Sequence, residues 1–161
     1  MTVIVYKKPY MAADSRVSDE EDSSIFTNKY RKLHQLKDGS VLGIAGDADY
    51  RAILEFFNKL KGNKLPSNKQ LISIGQDFDA LWVRLDQKVY FIAVGKKSKN
   101  DEWSAQVLEV NDPFACIGTG AKYATGAMDM GATPERAVKT AIKFDPSCGG
   151  TVLVLKLEFN E

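Results

Sequence analysis

The stretch Gly43-Ile44-Ala45-Gly46-Asp47-Ala48-Asp49 marks the point at which the chain changes from a strand pattern to a helix pattern. Before it, residues 41–45 form a short apolar run of the kind found in buried strands. After it, Asp47 is a suitable N-cap, and apolar side chains recur at helical spacing until Gly62 ends the helix. The pattern therefore predicts a strand that turns directly into a helix. The apolar positions of this helix are Tyr50, Ile53, Leu54, Phe57 and Leu60.

The segments on both sides of this turn are mostly strand-like. Residues 2–6 and 10–13 form one predicted hairpin, and residues 30–36 pair with 41–45 across Asp38-Gly39, a strong hairpin signal. Residues 63–76 are predicted to be a surface connection with room for one turn of helix. Because strands and helices do not alternate as β-α-β units, we predict an α+β sandwich. Its other strands are expected at 78–85, 89–94, 105–110, 114–117 and 151–159, and its other helices at 121–130 and 134–143, the last capped by Thr133.

Composition restricts the kinds of protein that this chain can be. Its 161 residues are 44% hydrophobic and 27% charged, which is typical of one globular domain, here residues 1–161. The net charge of +1 argues against nucleic-acid binding through a broad basic surface. Cys116 and Cys148 form no C-x-x-C pair, so we expect no disulfide scaffold and no metal site, and a reducing, cytoplasmic location. No signal peptide and no apolar run of about 18 residues is present, so no membrane association is expected.

The sequence offers few of the residues and motifs that catalytic sites use. One histidine, His34, is present, and no nucleophile-elbow, zinc-protease or P-loop motif occurs, so we expect no His-dependent triad and no cofactor. Thr2 is small enough for ordinary removal of Met1, which would place a free α-amine and a hydroxyl on one residue. An α-amine with a pKa near ~8 can act as general base for its own hydroxyl. Many chains begin Met-Thr without consequence, however, so this pattern needs support from distant residues.

Five segments of the sequence together supply that support. They are YMAADSR at 10–16, NKYRKL at 28–33, GIAGDAD at 43–49, FACIGTGAKYA at 114–124 and KFDPSCGG at 143–150. In this order they resemble the motifs A-D-R/D-G, x-K-[IV]-x-x-[IL], A-G-x-A-A-D, A-I-G-S-G-x-x-Y-A and D-x-x-S-G-G of proteasome β-subunits and of the bacterial HslV-like ring proteases. These families are N-terminal nucleophile (Ntn) hydrolases, and the resemblance implies a four-layer αββα sandwich.

The resemblance also implies a role for individual residues. Thr2 would be the nucleophile, Lys29 the catalytic lysine and Asp14 its partner. Gly46 would donate its N–H to the oxyanion, and Thr119 and Asp145 would steady the α-amine. Ile44, Ala48 and Arg16 are the implied binding residues, with Ile44 and Ala48 favouring an apolar substrate side chain. Thr119 and Cys148 stand where the family has serines.

Composition alone gives a less specific interpretation of two of these segments. Lys29 is one of three basic residues in four positions, so an ordinary surface lysine is the simpler expectation. The Gly118-Thr119-Gly120 turn could bind an anion at the start of a helix, but close strand-to-helix packing is the preferred explanation. Only the joint pattern favours catalysis.

The resemblance implies a threonine-type peptidase that acts on peptides or unfolded polypeptides and assembles into a homo-oligomeric ring. A separate ATPase unfoldase is a further implied partner, since the chain has no ATPase motif. Two alternatives remain open. One is a non-catalytic structural or binding protein of the same fold, and the other is an Ntn amidohydrolase that acts on a small amide.

Overall fold

Two antiparallel sheets form the centre of the molecule. The computed structural model describes residues 2–19, 21–46, 49–97 and 100–160. The first sheet has the strand order β10 (Ala115–Ile117), β1 (Ile4–Lys7), β2 (Tyr10–Ala13) and β11 (Leu153–Lys156). The second sheet is a meander of β5 (Leu33–Gln35), β6 (Val41–Ala45), β7 (Phe78–Val83), β8 (Val89–Lys96) and β9 (Trp103–Glu109). A separate small hairpin pairs β3 (Val17–Ser18) with β4 (Ile25–Thr27).

The predicted Asp-Gly hairpin between β5 and β6 is confirmed. Asp38 accepts a hydrogen bond from the Ser40 N–H at 2.9 Å, and Gly39 adopts a φ of +89°. Glycine reaches this region without the penalty that a Cβ would bring. The turn fixes the register of the two strands, in which Leu33 lies opposite Gly43.

Within the described ranges, four helices cover the outer faces of the sheets. Helix α1 is Tyr50–Asn58, α2 is Asn68–Ile72, α3 is Ala121–Asp129 and α4 is Pro134–Phe144. The N-cap of α4 is Thr133, as predicted, and its side chain accepts from the Arg136 N–H at 3.3 Å. The N-cap of α1 is Asp49, whereas the predicted cap, Asp47, lies outside the described residues. No helix in the ranges that the structure describes is long and apolar enough to cross a bilayer.

Three separate hydrophobic clusters among the described residues show the layer order. One lies between the two sheets, one between the second sheet and the helices α1 and α2, and one between the first sheet and the helices α3 and α4. The layers therefore run helix, sheet, sheet, helix, and the predicted αββα sandwich is confirmed. Typical members are Ile4 and Leu81 between the sheets, Ile53 and Phe57 under α1 and α2, and Ala137 and Val138 under α3 and α4.

Several strand boundaries differ from the sequence prediction. The segment predicted as a strand over 30–36 pairs only from Leu33, because Tyr30 turns toward β2 and donates its N–H to the Ser15 carbonyl at 2.9 Å. The β3–β4 hairpin was not predicted. Its side chains at Ile25 and Phe26 are 51% and 68% exposed, so no burial pattern marks it in the sequence.

Candidate active site

A buried carboxylate, Asp14, lies at the end of β2 and receives three hydrogen bonds. Its Oδ1 accepts from the Val3 N–H at 3.1 Å and from the Lys32 ammonium at 2.9 Å. Its Oδ2 accepts from the Gly149 N–H at 3.0 Å. Asp14 thus joins the N-terminal segment, the entrance to β5 and the loop after α4, and it supplies the negative charge at the centre of the site.

Lys32 is the cation that pairs with this carboxylate. The side chains of Lys32 and Asp14 are 1% and 0% exposed. Burial lowers the pKa of Lys32, and the charge and hydrogen bond of Asp14 oppose that shift. A buried lysine paired with a carboxylate is positioned to act on a neighbouring group by its charge.

The structure does not place Lys29, the predicted catalytic lysine, beside Asp14. Lys29 is exposed, and its backbone N–H is held by the Thr27 hydroxyl at 3.1 Å in the turn after β4. The two lysines are three residues apart, and Lys32 directly precedes β5, whose first residue Leu33 points into the core between the sheets. The strand therefore carries Lys32, rather than Lys29, into the interior.

Thr2 lies against the segment between β10 and α3. The residue is 5% exposed, and its carbonyl accepts from the Gly120 N–H at 3.2 Å. Gly118 has a φ of +95°, and a Cβ added there would overlap the Thr2 carbonyl group. Glycines at both positions thus allow this segment to pass close to the N-terminal backbone.

We expect Gly118→Ala to lower the free energy of unfolding by about 1–3 kcal/mol or more. The substitution places a side chain in a left-handed conformation and against the Thr2 carbonyl. The free energy of unfolding in urea is the measurement. Gly126→Ala in α3 is the matched control, since nothing lies within 4 Å of the added methyl group there. That control should be neutral or more stable by about 0.5–1 kcal/mol. Equal effects of the two substitutions would contradict the proposed close approach.

A polar cleft of about 310 Å³ opens beside Thr2 and Lys32. Gly46, the predicted oxyanion donor, lines this cleft with a φ of +119°. The cleft also carries carboxylates from Asp77 and Asp79, and burial together with the charge of Asp77 raises the pKa of Asp79. The structure therefore brings Thr2, Gly46 and a buried lysine to one cavity. Its remaining lining residues are Arg16, Val17, Ser18, Ala45, Tyr50, Phe78, Gly118 and Thr119.

Thr119 and Asp145, the two predicted partners of the α-amine, are connected through Ser147. Asp145 accepts from the Ser147 hydroxyl at 2.6 Å and from the Ser147 N–H at 2.9 Å. The hydroxyls of Ser147 and Thr119 are 3.2 Å apart. Burial raises the pKa of Asp145, but hydrogen bonds, chiefly from the Ser147 hydroxyl and N–H, hold it below the ordinary value. Asp145 is therefore an anion that accepts hydrogen bonds at neutral pH.

The three predicted binding residues have different surroundings. Ile44 is fully buried and belongs to the core beneath α1 and α2, so its side chain does not line the cleft. Ala48 lies outside the described residues. Arg16 does line the cleft, and its guanidinium donates to the Asn28 side chain and to the Pro146 carbonyl, both at 2.9 Å. The prediction of an apolar pocket thus gains no support from Ile44.

Sequence reasoning missed three residues of this region: Lys32, Ser147 and Tyr50. A signal for Lys32 does exist, because the family pattern x-K-[IV]-x-x-[IL] fits Lys32-Leu33-His34-Gln35-Leu36 better than the register that starts at Lys29. The former places an aliphatic residue directly after the lysine, whereas Tyr30 follows Lys29. Tyr50 lines the cleft and donates its hydroxyl to the Ile44 carbonyl at 3.1 Å.

Comparison with known proteins shows which folds this architecture resembles. No protein-family model matches the sequence, and no curated protein matches it at a significant level. Among solved structures, Thiobacillus denitrificans BPH in complex with epoxomicin is 19% identical, covers 98% of each chain and has a TM-score of 0.63. Eukaryotic HslV from Trypanosoma brucei is 14% identical, covers 96% of this chain and 98% of its own, and has a TM-score of 0.62. The chain has the HslV fold.

The likeness extends over nearly the full length of both chains, so it includes all four layers of this chain. A second structure of Thiobacillus denitrificans BPH gives the same result, with 19% identity, 99% coverage of each chain and a TM-score of 0.62. The similarity in sequence is low, and what these matches establish is the proteasome-like fold.

Proposed function

We propose that this protein is a threonine-type Ntn peptidase of the proteasome-like group, with Thr2 as nucleophile once Met1 has been removed. The observation that carries the proposal is the buried Asp14–Lys32 pair at the cleft that Thr2 lines. A buried ion pair is a poor source of stability, because desolvation of the two charges offsets most of their attraction. Such a pair beside a hydroxyl in a cleft is better explained by chemistry.

The proposed reaction uses the groups of one residue and its surroundings. The Thr2 α-amine takes the hydroxyl proton while the Thr2 oxygen attacks the carbonyl carbon of the scissile amide. The positive charge of Lys32 favours the developing alkoxide, and the Gly46 N–H is the proposed donor to the oxyanion. The proton then passes to the departing amine, which leaves an ester on Thr2. Water, deprotonated by the same α-amine, hydrolyses this ester and restores the hydroxyl.

Polypeptides or peptides are the proposed substrates, and a homo-oligomeric ring is the proposed assembly. The neighbouring fold members include a BPH structure in complex with epoxomicin, and the exposed Ile25 and Phe26 of the β3–β4 hairpin offer apolar surface for contact between copies. Light scattering of the purified protein tests the assembly. A monomer at working concentration would contradict the ring.

The test of the function is covalent labelling of Thr2 by a peptide epoxyketone such as epoxomicin. We expect an intact mass without Met1 and an adduct whose fragments place the probe on Thr2. Thr2→Ala should remove the label and peptide cleavage while leaving the thermal unfolding curve and the assembly unchanged. Retention of Met1 with no adduct would reject the peptidase and favour a non-catalytic protein of this fold.

A further inference from the structure

The hydroxyl of Ser147 connects two residues that the family resemblance assigns to the site. It lies 2.6 Å from Asp145 Oδ1 and 3.2 Å from the Thr119 hydroxyl. Thr119 itself lines the cleft with Thr2, and the adjacent Gly120 N–H donates to the Thr2 carbonyl. A change in Ser147 would therefore reach Thr2 through a short chain of contacts.

Cys148 is the position at which the resembled segment D-x-x-S-G-G carries its serine. Its Sγ lies 3.7 Å from Asp145 Oδ2. Burial, together with the charges of Asp14 and Asp145, raises the pKa of the Cys148 thiol to about 12. The thiol stays protonated at neutral pH, and a thiol is only a weak hydrogen-bond donor. Cys148 thus gives Asp145 much less than a serine hydroxyl would.

We propose that Ser147 is a positioning residue of the Thr2 site and that it replaces the hydrogen bond to Asp145 that a serine at position 148 would make. This inference rests on the proposed function, because it concerns the orientation of groups around Thr2. Ser147 and Cys148 are adjacent and both reach the same carboxylate, Ser147 at Oδ1 and Cys148 at Oδ2. In this chain the hydroxyl that donates to Asp145 lies at position 147, one residue before the serine of the resembled segment. The Asp145 carboxylate therefore still accepts a hydroxyl hydrogen bond.

The direction of the hydrogen bonds gives Ser147 a specific effect. Asp145 is ionised and can only accept, so the Ser147 hydroxyl donates to it. The Ser147 oxygen is then left to accept from the Thr119 hydroxyl. With its proton turned toward Ser147 and Asp145, Thr119 presents an acceptor lone pair toward the cleft. Such an acceptor suits the N–H groups of a Thr2 α-amine.

A purely structural explanation of Ser147 predicts different behaviour. An Asp side chain that accepts from the N–H two residues later is a common turn, and here it follows the last residue of α4. If Ser147 served only this turn, its backbone N–H would suffice. Loss of the hydroxyl would then leave the reactivity of Thr2 and its pH dependence unchanged.

The experiment measures the rate of Thr2 labelling by a peptide epoxyketone against pH, using full-length protein whose intact mass shows that Met1 is absent. Ser147→Ala is expected to lower the rate about tenfold, the size expected when one hydrogen bond to a charged group is lost. The acid limb of the profile should move to lower pH, because the protonated α-amine loses an acceptor that favours it. Ser147→Thr keeps the hydroxyl and should behave as the wild type.

The decisive test places the hydroxyl at position 148 instead of position 147. Cys148→Ser should change little on its own, but it should restore both the rate and the pH profile when added to Ser147→Ala. Thermal unfolding of each variant shows that the fold is intact. A wild-type rate and profile in Ser147→Ala, or failure of Cys148→Ser to restore them, overturns the inference while the peptidase stands. Absence of labelling in the wild type itself overturns the function and the inference together.

Discussion

Replacing Lys32 by alanine is expected to lower the rate of Thr2 labelling and of peptide cleavage by about 10²–10⁴-fold, the range for a lost proton-transfer or charge-stabilising group. Lys32 is the buried cation that lines the cleft with Thr2, and the alanine variant has no charge to favour the alkoxide. Lys29→Ala is the matched control, because Lys29 is exposed only three residues away. A labelling assay on both variants decides between the two lysines. An equal loss in both, or a loss in Lys29→Ala alone, would contradict the assignment.

The same substitution should also change stability. Removal of one member of a buried ion pair costs about 3–5 kcal/mol, because the remaining charge is left uncompensated. Circular dichroism must therefore show that Lys32→Ala is folded under the assay conditions. Lys32→Met retains most of the side-chain volume and serves as the second variant.

The pH dependence of stability follows from the direction of the Lys32 pKa shift. Because burial lowers this pKa, the unfolded chain binds more protons than the folded one between the lowered value and the ordinary value near ~10.4. The free energy of unfolding of the wild type should consequently rise, relative to that of Lys32→Met, as the pH increases through this range. Urea titrations at several pH values provide the comparison. A difference that falls with pH would show that the pKa is raised.

The layers of the fold were predictable because buried residues follow recognisable patterns. The nearly continuous apolar runs of β1, β6 and β7 indicate strands that are covered on both faces. The helical spacing of apolar residues in α1 and α4 indicates which face of each helix packs on a sheet. The β3–β4 hairpin shows no pattern of buried apolar residues, since Ile25 and Phe26 are exposed on its surface. It was missed for that reason.

Some residues of the candidate site could be named from the sequence, and others could not. Thr2, Asp14 and Gly46 were named from the resemblance of short segments to the family motifs, and the structure places Thr2 and Gly46 at one cleft and Asp14 beside Lys32. Lys29 and Lys32 are chemically identical, so composition alone does not distinguish them, and only the better fit of the family pattern at Lys32 could have done so. Ser147 was missed because its role depends on a side-chain rotamer beside Asp145, and sequence spacing gives no access to that.

Asp14→Asn is expected to have the second large effect, although the two side chains have nearly the same shape. Among the residues that the structure describes, the three partners of the Asp14 carboxylate are all donors: the Val3 N–H, the Lys32 ammonium and the Gly149 N–H. An amide has one acceptor oxygen and an NH₂ group, so at least one donor would face another donor. We expect a loss of about 3–5 kcal/mol in the free energy of unfolding, as for a broken buried pair. Asp22→Asn in an exposed loop is the control and should be nearly neutral.

The effect of Asp14→Asn on reactivity has a sign that can be checked. The charge and hydrogen bond of Asp14 are what oppose the lowering of the Lys32 pKa, so their loss lowers that pKa further. A larger fraction of Lys32 is then neutral, and Thr2 loses its neighbouring positive charge. Raising the pH cannot restore the labelling rate, because it removes the proton from Lys32. Lowering the pH restores that charge but protonates the Thr2 α-amine, which the reaction needs as base. We therefore expect a labelling rate reduced at every pH, and recovery at either extreme would show that Asp14 does not act through Lys32.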